Sequence, residues 1–152
     1  VSVGVSSFGL IDQCRRREEK NVAQIPQSHH DLLESSVATF ATIAPDGRPQ
    51  LTEVWFLAEG DNVSVSMNTS RQKVKNLRER PQCCLFILDL ANPMRYLEIR
   101  GDAEITDDSD YSFAEKVGKK YEADLRAYDG PNDQRVVVRI VPHKINAVNM
   151  GG

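Results

Sequence analysis

The sequence predicts a mainly β domain with two or three short helices, rolled into a small closed or nearly closed antiparallel barrel. Three observations carry that prediction. Six or more short segments show strand-like alternation or apolar runs, each bounded by Gly, Pro, Asp or Asn turn residues. Helical spacing appears in only two or three places between them. The chain of 152 residues, 40% hydrophobic, is one domain by length, with a core of modest size. Closure is the economical way for so many strands to avoid exposed edges.

Residues 1–27 differ from the rest. They are rich in Ser, Gly and Val and then carry Arg15-Arg16-Arg17-Glu18-Glu19-Lys20, a run expected to be a solvated helical face. They are read as an amino-terminal extension, with the barrel domain spanning 28–152. A short helix is predicted over His29 to Ser35, followed by a strand from Val37 to Ile43. Pro45-Asp46-Gly47-Arg48 then has the composition of a hairpin turn. The second strand runs from Gln50 to Leu57, a turn falls at Glu59-Gly60-Asp61-Asn62, and a third strand covers Val63 to Asn68. These three are expected to form an antiparallel meander.

The next stretch, Asn68-Thr69-Ser70-Arg71-Gln72-Lys73-Val74-Lys75-Asn76-Leu77, reads as a strand end entering a helix that closes before Pro81. Thr69 and Gln72 have capping-box spacing, and Val74 and Leu77 form the buried stripe. Arg71 and Lys73 therefore stand at a helix N-terminus, where unpaired N–H groups already present positive charge. Cations there make sense when an anion joins them, and a phosphate suits the geometry best; the alternative reading is a solvated basic helix. Lys73 and Asn76 share a face beside that expected ligand.

A fourth strand is predicted over Gln82 to Leu88 and a fifth from Arg95 to Thr106. Asp107-Asp108-Ser109 offers N-caps for a helix carrying Phe113, Val117 and Tyr121 at four-residue spacing. A loop through Tyr128-Asp129-Gly130-Pro131-Asn132 leads to two last strands, Arg135 to Val141 and Lys144 to Asn149, with His143 in the turn between them.

Composition excludes several functions. A net charge of −3 without a long basic run argues against nucleic-acid binding. No stretch has membrane-spanning length, and Val1 to Ile11 lacks the flanks of a secretory signal, so a cytoplasmic location is expected. Cys14, Cys83 and Cys84 are odd in number and have no metal spacing; the adjacent pair should point to opposite faces of a strand in a reducing compartment. His29-His30-Asp31 and Asp107-Asp108-x-Asp110 resemble metal ligands only superficially, and no metal site is assigned. Glu53, inside an otherwise apolar strand, is expected to find a partner or a ligand. Of Trp55 and Phe56, alternation sends one to the core and leaves the other to line a pocket.

Ala41-Thr42-Ile43, Asp46-Gly47-Arg48-Pro49-Gln50, Glu53-Val54-Trp55-Phe56, Ser70-x-x-Lys73-x-x-Asn76-Leu77 and Pro81 follow one another at spacings that resemble the pyridoxamine-phosphate-oxidase-like split β-barrel family. Within that family the chain is most similar to the branch that uses the deazaflavin coenzyme F420. The resemblance covers roughly Leu32 to Met150. It implies a homodimer with cofactor sites at the subunit interface. It also implies that Arg71 and Lys73, with Thr69 and Ser70, hold the cofactor phosphate, supported by Asn76. Gln50, Leu51 and Thr52 would run beside the ring, Met67 and Asn68 would flank the ribityl chain, and Tyr96, with Met94 and Arg95 beside it, would close the site from the other subunit.

The activity so implied is hydride transfer from reduced F420 to an electron-poor small molecule, such as a conjugated carbonyl, a quinone or a tetrapyrrole. No catalytic side chain is assigned, since solvent can supply the proton. The final Asn146 to Gly152 lacks the basic residues expected for a vitamin B6 phosphate, so that oxidation is not implied. Two other readings fit the same residues: an oxidoreductase using flavin mononucleotide (FMN), or a non-catalytic protein that holds F420 or a flavin.

Overall fold

The computed structural model describes residues 22–151. Cys14 and the charged run at 15–20 lie outside the described residues. A 3-10 helix, Gln27–Glu34, leads into β1 (Ala38–Ile43), β2 (Pro49–Val54), β3 (Leu57–Glu59) and β4 (Asn62–Asn68). Helix α1 (Gln72–Glu79), β5 (Gln82–Leu88), β6 (Arg95–Asp107), α2 (Ser112–Tyr121), a 3-10 turn (Leu125–Tyr128) and β7 (Arg135–Asn149) complete the chain.

All seven strands join one antiparallel sheet in the order β2-β1-β5-β6-β7-β4-β3. The edges of that order, β2 and β3, are consecutive in sequence and separated only by Trp55 and Phe56. Laid flat, seven strands would put those edges about 29 Å apart. The two-residue connection reaches about 11 Å at most. The sheet must therefore curl until its edges approach, giving a barrel that is split where β2 passes β4 without pairing.

This corrects the predicted meander. The second strand stops at Val54 instead of running to Leu57, and β4 pairs with β7, with Asn68 opposite Arg135. The hairpin between β1 and β2 forms as expected, with Gly47 at φ +83° in its turn. The two predicted last strands are one. β7 continues through a bulge at which Gly101 faces Pro142 and Arg100 faces Lys144, leaving His143 unpaired in the ladder. His143 Nε2 instead meets Asp102 Oδ2 at 2.9 Å.

The core fills the barrel with Phe40, Phe56, Leu85, Ile87, Leu97, Val136 and Val138, each essentially buried. Their alternation along β1, β5, β6 and β7 places apolar side chains inward. Ile25 and Leu32 plug one end, and Ala23 N–H donates to the Pro142 carbonyl, so the packed body reaches back to Ala23. Val74 and Leu77 dock α1, as expected. Cys83 is buried and Cys84 half-buried on alternate faces, and both thiols are free. Burial, with Asp102 and Cys84 nearby, pushes the Cys83 thiol up to about 12, which keeps it protonated and unreactive.

The expected capping box does not form. Helix α1 begins at Gln72 with Arg71 at the cap position, and no side chain caps it. Thr69 is instead pinned to β7, its N–H donating to the Gln134 carbonyl and its Oγ1 accepting from Gln134 N–H at 3.1 Å. At α2 the acidic cap is real and belongs to Asp108. Its carboxylate accepts from the N–H groups of Phe113 (3.0 Å) and Ala114 (2.9 Å), across Tyr111 at φ 59°.

Candidate functional site

A pocket of about 500 Å³ occupies the split. Gln50, Thr52, Glu53, Val54 and Trp55, on and just after β2, form one wall and Val65 to Asn68 of β4 the other. Helix α1 closes one end with Arg71, Gln72 and Lys73, while Val117, Leu125, Tyr128 and Arg135 close the far side. Its position follows from the topology: these are the two strand edges that the curled sheet brings together but does not bond.

At the α1 end the pocket is cationic. The first turn of α1 has no acidic residue, and the first amides of a helix have no intrahelical partner. Lys73 is only 6% exposed, and its Nζ finds no hydrogen-bond partner among the described residues. Burial pushes its ammonium below the ordinary lysine value. A buried, unpaired cation is expensive unless a ligand completes it. Arg71 is exposed beside it.

Behind this corner, Asn76 is fully buried and donates to Thr42 Oγ1 and Gln50 Oε1, both at 3.1 Å, while accepting from Gln72 Nε2 at 2.9 Å. It thus ties α1 to β1 and β2. With its carbonyl oxygen engaged, Gln50 presents its amide NH₂ as a donor.

Across the pocket, Arg135 pairs with Asp129, both side chains about 5% exposed. Asp129 also accepts from Tyr111 Oη (2.8 Å) and Asn68 Nδ2 (3.1 Å), and Asn68 Nδ2 donates to the Tyr128 carbonyl as well. Burial alone would raise the Asp129 pKa, but hydrogen bonds from Arg135, Tyr111 and Asn68 outweigh it and hold the carboxyl low. This network clamps the loop after α2 to the end of β4. Arg135 is consequently committed to Asp129, whereas Lys73 remains uncommitted.

The third region is aromatic. Trp55 turns into the split while Phe56 enters the core at 0% exposed, so the pair divides as alternation predicts. The Trp55 ring stacks on Tyr121 with centroids 4.5 Å apart and planes 7° apart, and it meets Tyr128 edge-on at 6.1 Å.

Of the residues selected from sequence, Gln50, Thr52, Met67, Asn68, Arg71 and Lys73 line this one pocket. Asn76 stands behind it. Leu51 points away and is 58% exposed, as the strand period requires. Thr69 faces β7, and Ser70 Oγ donates to Asn68 Oδ1. Tyr96 does not reach the pocket within one chain; it packs on Phe86 at 5.0 Å. Arg95 is held by Asp31 and Asp89, and the latter carboxylate is drawn low chiefly by that hydrogen bond. Glu53 is exposed on an edge strand, and its partner is Thr39 Oγ1 at 2.6 Å. His29 is buried with Nε2 near the Val148 carbonyl, and His30 meets Ile25 O and Asp61. Among the described residues no group of three His, Cys, Asp or Glu is placed to hold a metal.

Sequence reasoning missed Tyr128, Arg135, Val117 and Leu125 as pocket residues. Arg135 becomes visible only once β4 is known to pair with β7, since nothing near it in sequence marks a site. What the pocket can do is bind and orient. It offers donors and an unpaired cation at one end and flat apolar surface at the other, a combination that accepts an anionic tail and a planar ring.

Residues 25–149 match the family model described as pyridoxamine 5'-phosphate oxidase. A solved F420 reductase is 32% identical, covering 80% of this chain and 98% of its own, with a TM-score of 0.70. A conserved hypothetical protein from Mycobacterium tuberculosis (24% identity, 85% and 87% coverage, TM-score 0.68) has the same fold. So has a putative pyridoxamine 5'-phosphate oxidase from Listeria innocua (23% identity, 88% and 98% coverage, TM-score 0.61). No curated protein matches by sequence. A split antiparallel barrel, a cationic helix corner set in the split and a family match over nearly the whole described chain agree: the chain belongs to the pyridoxamine 5'-phosphate oxidase family.

Proposed function

We propose that this protein is an F420H2-dependent reductase acting on an electron-poor small molecule, as a homodimer in the cytoplasm. The observation that carries the proposal is Lys73, a buried ammonium without a partner among the described residues, set beside Arg71 in a pocket that Trp55 and Tyr128 also line. The donor set fits a phosphate-bearing tricyclic coenzyme: cations and helix amides for the phosphate, and the β2 backbone and the Gln50 amide for ring carbonyls. Similarity to an F420 reductase at 32% identity favours the deazaflavin over FMN. FMN remains the second reading, because the same corner serves any riboflavin-type phosphate.

When bound, the reduced coenzyme supplies a hydride to the acceptor, and solvent supplies the proton that completes the two-electron reduction. The chain's part is placement. Arg71 and Lys73 fix the tail, Asn76 holds the Gln50 side chain in register with them, and Met67 and Asn68 border the space between. Trp55, Val117, Leu125 and Tyr128 exclude water from the far end. Tyr96 is assigned to the partner's site, since it lies outside the pocket of its own chain. The exposed β2 surface at Leu51, together with Met94, supports burial against a second copy.

The test is acceptor-dependent oxidation of F420H2 by the purified protein with a quinone, an enone and a linear tetrapyrrole, beside the same assays with reduced FMN. Oxidation with F420H2 supports the proposal. Turnover with FMN alone moves the activity to the flavin, and tight F420 binding without turnover on any acceptor class makes the protein a carrier.

A further inference from the structure

The two residues between β2 and β3 connect the sheet's two edges directly, and they divide sharply. Phe56 is wholly buried, and its backbone is held at both ends: Tyr121 Oη accepts from its N–H at 3.0 Å, and Lys120 Nζ donates to its carbonyl at 2.9 Å. With Phe56 fixed, Trp55 has one direction left, into the split. Its ring lies parallel to Tyr121, so one face is covered and the other is open to the pocket, leaving the residue 38% exposed. The phenol of Tyr121 is anchored on Phe56, which keeps the covering ring from turning away. Tyr128 stands edge-on at 6.1 Å, and its own carbonyl accepts from Asn68 Nδ2 at 3.2 Å.

A large flat side chain half-open to a pocket is unusual where the surrounding core had room to take Phe56. Its open face and the Tyr128 ring form an L-shaped corner. Such a corner suits a planar, conjugated and uncharged ring, which stacks on one member and meets the edge of the other. Trp55 follows the end of β2, whereas Gln50 at the start of that strand is the residue Asn76 ties to the α1 corner, where the Lys73 cation suits the coenzyme's phosphate.

We propose that Trp55, backed by Tyr121 and flanked by Tyr128, is the stacking platform for the acceptor and sets the enzyme's selectivity for flat conjugated substrates. The platform rests on the proposed reductase reading for its occupant, but not for its geometry. It divides the pocket: the α1 end fixes the coenzyme, and the corner made by the strand break selects what the coenzyme reduces. Aliphatic enones, which offer little π surface, are then poorer acceptors than fused-ring quinones.

The test uses the full chain. KM for menadione, a fused-ring quinone, and the Kd for F420 are measured for Trp55→Leu, Trp55→Phe and Tyr128→Ala. Trp55→Leu is expected to raise KM for menadione about tenfold, Trp55→Phe to restore most of it, and F420 Kd to stay within about twofold. An unchanged KM overturns the platform, as does a loss of F420 affinity equal to the rise in KM, which would give the Trp55 face to the coenzyme. If the wild-type protein binds neither F420 nor FMN, the reductase reading falls, and the platform is judged separately by fluorescence. Trp55 is the single tryptophan of the chain. Saturable quenching by menadione, weakened in Tyr128→Ala, upholds the platform. Quenching that rises linearly, as for free tryptophan, overturns it.

Discussion

Replacing Lys73 with Met separates the two consequences of a buried unpaired cation. Met keeps most of the length and the apolar stem of Lys73, a residue only 6% exposed, but removes the buried ammonium, which makes no hydrogen bond among the described residues. An unsatisfied buried polar group costs about 1–3 kcal/mol, so Lys73→Met should stabilise the ligand-free protein by about that amount. For a domain of this size the gain corresponds to a rise in Tm of roughly 3–10 °C. A charge-assisted hydrogen bond to phosphate is worth about 1.5–3 kcal/mol, so the same substitution should weaken coenzyme binding about 10- to 150-fold. The pH dependence follows in sign. Burial lowers the Lys73 pKa below 10.5, so the unfolded chain binds this proton more tightly, and the cost is fully present while the folded lysine is charged. Wild-type stability therefore recovers as pH rises through the folded value toward 10.5, and the advantage of Lys73→Met shrinks over that interval. Thermal melts of both proteins across that range, with and without coenzyme, measure all of this. A variant that melts lower than wild type without ligand and binds coenzyme equally well would mean that Lys73 neither carries an uncompensated charge nor receives the phosphate.

Asp129→Asn leaves Arg135 buried without its counter-ion and should cost about 3–5 kcal/mol, read by denaturant unfolding. The same pair makes the protein acid-sensitive: the folded Asp129 pKa lies below 3.8, so its contribution is intact above that value and is lost as pH falls through the folded one. Gly101→Ala places a Cβ against the Val141 carbonyl at the bulge and should destabilise by about 1–3 kcal/mol, with the melt again the readout. Glu53→Gln should alter stability by less than about 0.5 kcal/mol, read by the same melt, because Glu53 is exposed and its side chain's hydrogen bond among the described residues is the one from Thr39.

Most of the barrel was legible because its strands alternate cleanly and its turns carry Gly, Pro and Asp. What eluded sequence reasoning was long-range pairing. Gln50 to Leu57 reads as one strand, but Phe56 belongs to the core of a curled sheet, and burying it breaks the ladder at Val54. The meander fails for the same reason, since local periodicity does not say that Asn68 lies opposite Arg135. Thr69 resembles a cap in sequence, yet its hydroxyl is taken by Gln134, 65 residues away. The cationic corner was legible because it violates a local rule: cations at a helix start need an anion. The Asp129–Arg135 clamp violates none, and Tyr128 is an ordinary loop tyrosine until Asn68 holds its carbonyl.

The reductase reading depends on Arg71 and Lys73 receiving the phosphate of a deazaflavin. An equilibrium titration of the purified protein with F420 beside FMN, followed by quenching of Trp55 and repeated with Arg71→Ala/Lys73→Ala, tests it most directly. Saturable binding that favours F420 and is lost in the double variant is the expected result. Binding of neither coenzyme, or equal binding by wild type and double variant, would contradict it.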